Sequence, residues 1–309
     1  MILSVSRRTD IPAFFSEWFM KRLENGFAIV QSPYTHKLLW RIPLSPDVID
    51  CMVFWTKNPS SMLDKLEGIE NMGYKFYFQF TITPYGRDIE RNVPSRDEMM
   101  AVFRRLALIT GPDRVVWRYD PVILGEDFTA SWHLEQFDYM CSSLKGYTRR
   151  CVFSFLDIYR NMPNRFKCVN RNSEDVIAVA RGFVEIASHY AISLSTCSEN
   201  LNLETFDITR SSCIDRQLVE DISGYFIDVG KDGNQRRECG CIESLDIGTY
   251  NTCHGGCRYC YATGRGETEG RYNLYDVNSP ALCVKLHGDE CVKDRKARSH
   301  RSSQQSLFS

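Results

Sequence analysis

The 309-residue chain carries 38 Lys and Arg against 39 Asp and Glu, for a formal net charge of −1 and a pI near 6.6. That balance excludes the global basic field that draws proteins to nucleic acid, and the length suits one large α/β domain with an ample core. Thirteen cysteines, with no visible secretory leader and no apolar run of membrane-spanning length, read as metal ligands of a cytoplasmic protein rather than as disulfides.

Ile2-Leu-Ser-Val5 is predicted as a buried strand running into Ser6, Arg7, Arg8, Thr9 and Asp10. Asp10 is placed to cap a helix with Pro12 in its first turn. Ile11, Phe14, Phe15, Trp18, Phe19 and Leu23 then recur at helical spacing. The stretch 27–43 reads as short irregular strands. A second strand over 48–55 ends at Thr56, Lys57 and Asn58, and a helix follows through Met62, Leu63, Leu66 and Ile69. A third strand over 75–82 leaves at Thr83, Pro84 and Tyr85. Ser95 and Glu98 form a capping-box pattern opening a helix that Gly111 and Pro112 stop.

The fourth strand, over 114–121, carries Arg118 and Asp120 to its exit, and the next helix spans 130–144. A fifth strand over 151–156 leaves at Asp157 and Tyr159. A helix over 174–189 and a sixth strand over 191–196, leaving at Cys197 and Glu199, complete the series. Strands alternating with helices predict parallel pairing through right-handed crossovers. The expected fold class is α/β, a partial (β/α)6 TIM-like barrel of parallel strands over 1–222. It is followed by a cysteine-rich, cluster-binding extension over 223–291 and a basic flexible tail over 292–309. A doubly wound sheet is the alternative, but no GxGxxG follows any strand.

Cys253-His-Gly-Gly-Cys257-Arg-Tyr-Cys260 offers three thiols that can close around one iron–sulfur cubane, with Gly255 and Gly256 relaxing the backbone between them. Three ligands leave one iron open. A zinc knuckle is the alternative, although zinc ribbons prefer paired CxxC or CxxxxC elements and a fourth ligand. The CxxxCxxC spacing, with Tyr259 before the last cysteine, resembles the signature of radical S-adenosylmethionine (SAM) enzymes. The resemblance implies a 4Fe-4S cluster, SAM chelated to the open iron by its amino and carboxylate groups, and reductive cleavage to a 5′-deoxyadenosyl radical. It also implies an electron donor such as flavodoxin or ferredoxin, and a Tyr259 that packs by the adenine or shields the cluster.

In a βα barrel the strand C-termini form the active face. Arg118 and Asp157 leave apolar strands and are expected to join Tyr259 in holding the cofactor. Arg7, Arg8, Asp10, Lys57, Asn58, Asp120 and Tyr159 are expected to line a substrate pocket, although capping alone accounts for Asp10. Cys51 and Cys151 read as core residues, and Cys141, Cys168, Cys283 and Cys291 show no partner pattern. Cys239-Gly-Cys241 is a chelating pair. With Cys197 and Cys213 it is expected to form an auxiliary, fully ligated cluster. Unrelated thiols, or a small zinc site at Cys239 and Cys241, are the alternatives.

The stretches SVSRRTDIPAFFSEWF, VFWTKNP, FQFTITPYG, WRYDPV, SFLDIY, CGCIESLDIGTYNTCHGGCRYCYA and the terminal QQSLF together resemble one bacterial family, the domain-of-unknown-function family numbered eighteen forty-eight. The likeness covers nearly the whole chain. It implies a partial TIM barrel and a C-terminal cysteine cluster similar to the one radical SAM proteins carry near their N-terminus. Members are also labelled as relatives of spore photoproduct lyase, a DNA repair enzyme. The departure from the radical SAM pattern is the cluster loop's place after the sixth unit rather than the first, and no Gly-Gly-Glu counterpart is visible.

The function these features predict is a radical SAM enzyme that abstracts hydrogen from an unidentified substrate, which docking by the C-terminal segment would link to DNA repair. An iron–sulfur redox or sensor protein without SAM chemistry and a zinc-stabilised nucleic-acid-binding protein are the rivals. The basic segment with Lys293, Arg295, Lys296 and Arg298 ends in Gln304-Gln-Ser-Leu307-Phe308. That ending is similar to the pentapeptide by which bacterial repair proteins dock on the polymerase sliding clamp. Gln304, Leu307 and Phe308 are the expected contacts, while Gln305 stands where that motif prefers Leu.

Overall fold

Short apolar runs bounded by polar exits become strands, and amphipathic runs opened by capping side chains become helices. The computed structural model describes residues 1–32, 35, 37–158, 162, 173–197, 206, 208–264 and 268–303. The chain begins with β1 (Ile2–Val5), α1 (Ile11–Phe14), α2 (Ser16–Asn25), β2 (Phe27–Gln31), β3 (Leu38–Pro43) and β4 (Cys51–Thr56). A 3₁₀ turn over Ser60–Lys65 leads into α3 (Leu66–Asn71), β5 (Phe76–Thr81), α4 (Arg96–Thr110), β6 (Val115–Val122), α5 (Ala130–Leu144) and β7 (Arg150–Phe155). Then come α6 (Glu174–His189), β8 (Ser193–Thr196), β9 (Thr209–Arg210), α7 (Arg216–Ser223), β10 (Leu245–Asp246), α8 (Thr268–Tyr272) and β11 (Cys291–Asp294).

The main sheet has eight strands in the order β10-β1-β4-β5-β6-β7-β8-β9, with every neighbouring pair parallel. It is open, with two-residue strands at both margins. Helix starts follow their caps. Ser95 and Glu98 close a capping box on α4, Thr129 caps α5, Ser173 caps α6 and Asp215 caps α7.

The side chains of the sheet alternate between two apolar layers. Leu3, Phe54, Phe78, Phe80, Trp117 and Phe153 pack beneath the helices, with Phe19, Phe103, Phe137 and Phe183 as helix partners. On the opposite face Ile2, Val53, Tyr77, Val116 and Val152 meet Ile214, Leu218, Val219, Ile227 and Ile242. The segment containing α7 therefore covers the face that the other helices leave bare.

Three expectations change. Within 27–43, β2 and β3 pair as regular antiparallel strands, and β11 extends them as a parallel third strand. The extension is not separate from the sheet, because β10 lies beside β1 with Leu245 opposite Leu3. Nor is the basic segment a free tail through residue 303. The Met1 ammonium donates to Arg298 O at 2.7 Å, His300 N donates to Asp50 at 2.8 Å, and Ser302 N donates to Phe226 O at 2.8 Å. Gln304, Leu307 and Phe308 lie outside the described residues, as do Tyr159 and Cys168. Among the described residues no helix is long and apolar enough to cross a membrane.

Candidate metal and cofactor site

The exit of β1 is organised by Asp246 from β10. Its carboxylate accepts hydrogen bonds from Ser4 Oγ at 2.7 Å, Ser6 Oγ at 2.6 Å, Arg7 N at 2.7 Å and Gly248 N at 2.9 Å. A Cβ on residue 248 would fall 2.0 Å from Ser6 Oγ, so the close approach requires glycine. Asp10 is buried and does not line the cavity. It accepts from Ala13 N at 3.0 Å as the cap of α1 and from Lys57 N at 2.7 Å, and burial pushes its carboxyl up to about 6. Asn58 is likewise a turn residue that accepts from Ser60 N at 3.1 Å, and it too is absent from the cavity wall. Both were expected in the pocket. Local capping claimed them, as short polar side chains next to a helix start prefer.

The loop carrying Cys253, Cys257 and Cys260 is clamped against residues 89–92. Asn92 N donates to Gly255 O at 3.1 Å, Asn92 Nδ2 to His254 O at 2.7 Å, and Arg258 N to Ile89 O at 2.9 Å. Gly255 N points at Cys253 Sγ from 3.4 Å. A Cβ on Gly255 would sit 3.5 Å from Cys253 Sγ and 3.7 Å from Cys257 Sγ, so two sulfurs converge on this glycine. Burial pushes the Cys253 thiol up to about 12. Burial also raises Cys257, and nearby Lys57 opposes that rise. A bound cation reverses such a penalty by favouring the thiolates. The donor set and its backbone support fit an iron–sulfur cluster.

Glu90 is a site residue that sequence reasoning missed. It is buried and accepts from Lys57 Nζ at 2.9 Å and from the hydroxyls of Thr83 and Tyr259. Burial opposes the charge of Lys57, yet Glu90 holds its pKa above the usual value. Glu90 also bridges to Cys257 through the backbone. In sequence it sits in Arg87-Asp-Ile-Glu90-Arg, which looks like an ordinary solvated charge run. The apolar Ile89 interrupting that run was the available signal.

These strand ends enclose a cavity of about 930 Å³, near the upper end of small-molecule and cofactor sites. Arg7, Arg8, Lys57, Asp120, Arg118, Asp157 and Tyr259 all line it, as does Cys260. The indole of Trp55 meets two cations, the Arg7 guanidinium 5.7 Å and the Arg118 guanidinium 5.4 Å from its ring. Arg118 pairs with Asp120, whose other oxygen accepts from Ser154 Oγ, and Asp157 pairs with Arg236. Arg7 donates to Ser244 Oγ at 2.6 Å. The wall therefore presents cations whose positions are already fixed by neighbours.

A second thiol group lines the same cavity. Cys197 leaves β8, Cys213 precedes α7, and Cys239 and Cys241 come from the loop before β10. The sulfurs of Cys197, Cys213 and Cys241 all lie within 4.8 Å of one another. The Cys241 thiol contacts those of Cys197, Cys213 and Cys239. None of the twelve described cysteines is in a disulfide.

The profile of a family described as "Domain of unknown function (DUF1848)" matches residues 2–262. No curated protein and no solved structure matches the chain.

Proposed function

The chain belongs to the DUF1848 family, and we propose that it is a radical SAM enzyme acting on a polar substrate in the strand-end cavity. The observation that carries this reading is the place of Cys260. It stands in the cavity wall while its motif partners Cys253 and Cys257 are gathered about Gly255. Three cysteines would hold a 4Fe-4S cluster with one iron facing that cavity. When bound there, the cluster and SAM would supply a 5′-deoxyadenosyl radical for hydrogen abstraction.

The chain's own residues bind, orient and exclude water. Tyr259, fixed through Glu90 and beside Lys57, would shield the cluster or pack by the adenine of SAM. Arg118 offers a fixed guanidinium for the SAM carboxylate, and Asp157 offers an acceptor for ribose hydroxyls. Arg7 and Arg8 would hold anionic groups of the substrate. Strands that ascend in order from β1 through β4 to β9, with β10 added beside β1 and most helices on one face, support a curled, TIM-like partial barrel whose strand ends form the active face.

Anaerobic reconstitution with iron and sulfide, followed by a reductant and SAM, tests the reading. 5′-Deoxyadenosine should form with the native chain and not with Cys253→Ala/Cys257→Ala/Cys260→Ala. A reconstituted protein that carries the cluster yet leaves SAM intact would overturn it in favour of a redox or sensor role.

A further inference from the structure

We infer that Cys197, Cys213, Cys239 and Cys241 hold one tetrahedral zinc ion in the cavity wall, a structural site separate from the Cys253–Cys257–Cys260 motif. The inference stands independently of SAM chemistry. The four thiols come from three chain segments, and the fold alone brings them together. Gly240 makes the approach feasible, because a Cβ there would fall 2.6 Å from Ser212 Oγ. The Cys239-Gly-Cys241 turn thus lies directly against the residues that carry Cys213. Ile214 N donates to Cys241 Sγ at 3.3 Å, and Ile242 N donates to Ile214 O at 3.1 Å, so the backbone locks the two segments in register.

Distance distinguishes one ion from a cluster. Zinc–sulfur bonds of about 2.3 Å in a tetrahedron place sulfurs about 3.8 Å apart. Three of the four sulfurs already lie within 4.8 Å of one another. A cubane sets each thiolate on its own iron and spreads them farther. The sulfurs of Cys253, Cys257 and Cys260 do not all lie within that distance of one another. Cys197, Cys213 and Cys241 therefore have single-ion spacing, and Cys239, in contact with Cys241, supplies the fourth thiol, in place of the auxiliary cluster that thiol number alone predicts.

Charge and burial agree. Four thiolates around one divalent ion leave a net negative site, and Arg118 Nη1 lies 2.7 Å from Cys213 Sγ. Such outer partners orient and neutralise metal ligands. Cys213, Cys239 and Cys241 are 3%, 5% and 1% exposed and Cys197 is half-buried; four thiolates fill all four positions of a structural site and keep none open for substrate. The ion would pin the α7 segment, which covers the second face of the sheet, to the end of β8.

The test is metal analysis of the full chain purified from medium containing both zinc and iron. The native chain should carry about one zinc, and Cys239→Ser/Cys241→Ser should lose it without losing iron. The Cys253→Ala/Cys257→Ala/Cys260→Ala chain should keep its zinc, which separates this inference from failure of the radical SAM reading. Should the tetrad variant not fold, native protein grown with cobalt must show the intense visible bands of tetrahedral thiolate-bound cobalt(II), and their absence overturns the site. Zinc missing from the native chain, zinc retained by the tetrad variant, or iron and sulfide lost in its place would each overturn it as well.

Discussion

The hydroxyl of Tyr259, in the cluster motif, donates to the buried carboxylate of Glu90, 169 residues earlier in the chain. The same carboxylate holds Lys57 Nζ at 2.9 Å. One acidic residue thus joins the cluster loop to the exits of β4 and β5. Glu90→Gln should destabilise the chain by ~3 kcal/mol, because it leaves a largely buried ammonium without its counter-charge. Tyr259→Phe, which removes one neutral donor, should cost about 1 kcal/mol. Urea unfolding of both variants measures the difference. Equal effects would show that Glu90 acts only through Tyr259.

Iron should depend on the three motif cysteines alone. Replacing Cys253, Cys257 and Cys260 by Ala should remove about four irons and four sulfides per chain. Elemental and sulfide analysis after anaerobic reconstitution provides the check, and unchanged content would sink the assignment.

The close passage of Gly248 over Ser6 gives a packing test. Gly248→Ala would place its Cβ 2.0 Å from Ser6 Oγ and 2.6 Å from Ser6 Cβ. The β1 exit must then move, at a cost of ~2 kcal/mol or more. Gly230→Ala meets nothing within 4 Å and should change stability by less than about 0.5 kcal/mol. Thermal melts of the pair decide the point, and matching melting temperatures would contradict the geometry.

Acid sensitivity should trace in part to His133. Its ring is buried, with Nε2 donating to Ile123 O at 2.8 Å and Nδ1 accepting from the Tyr119 hydroxyl at 2.8 Å. Burial lowers its pKa from 6.5 to about 4. Between those values the unfolded imidazole binds a proton that the folded one refuses, so stability rises with pH. The contribution is complete above 6.5 and is lost as pH falls through that window toward 4, by up to about 3 kcal/mol. His133→Gln should flatten the slope of unfolding free energy between pH 7 and 5. An unchanged slope would acquit His133.

Local chemistry made much of this protein legible. Helices α5 and α6 fall on their predicted spans, since a capping side chain followed by an apolar stripe specifies a helix without distant help. The six principal strands were visible as apolar runs with polar exits, and the three motif cysteines as thiols at fixed spacing. Long-range placement was not legible. Strand β10 is two residues long and β11 is exposed, so neither carries a periodic signal, and backbone pairing is nearly blind to side-chain identity. Glu90 looked solvated because its partners lie near in space but come from residues 57, 83 and 259. The sequence by itself determined which segments could be strand, helix or ligand loop, because those choices rest on neighbours a few residues away. Only the tertiary structure decided which thiols lie close to one another and which carboxylate receives the cluster loop, because that depends on where the sheet places the ends of its strands.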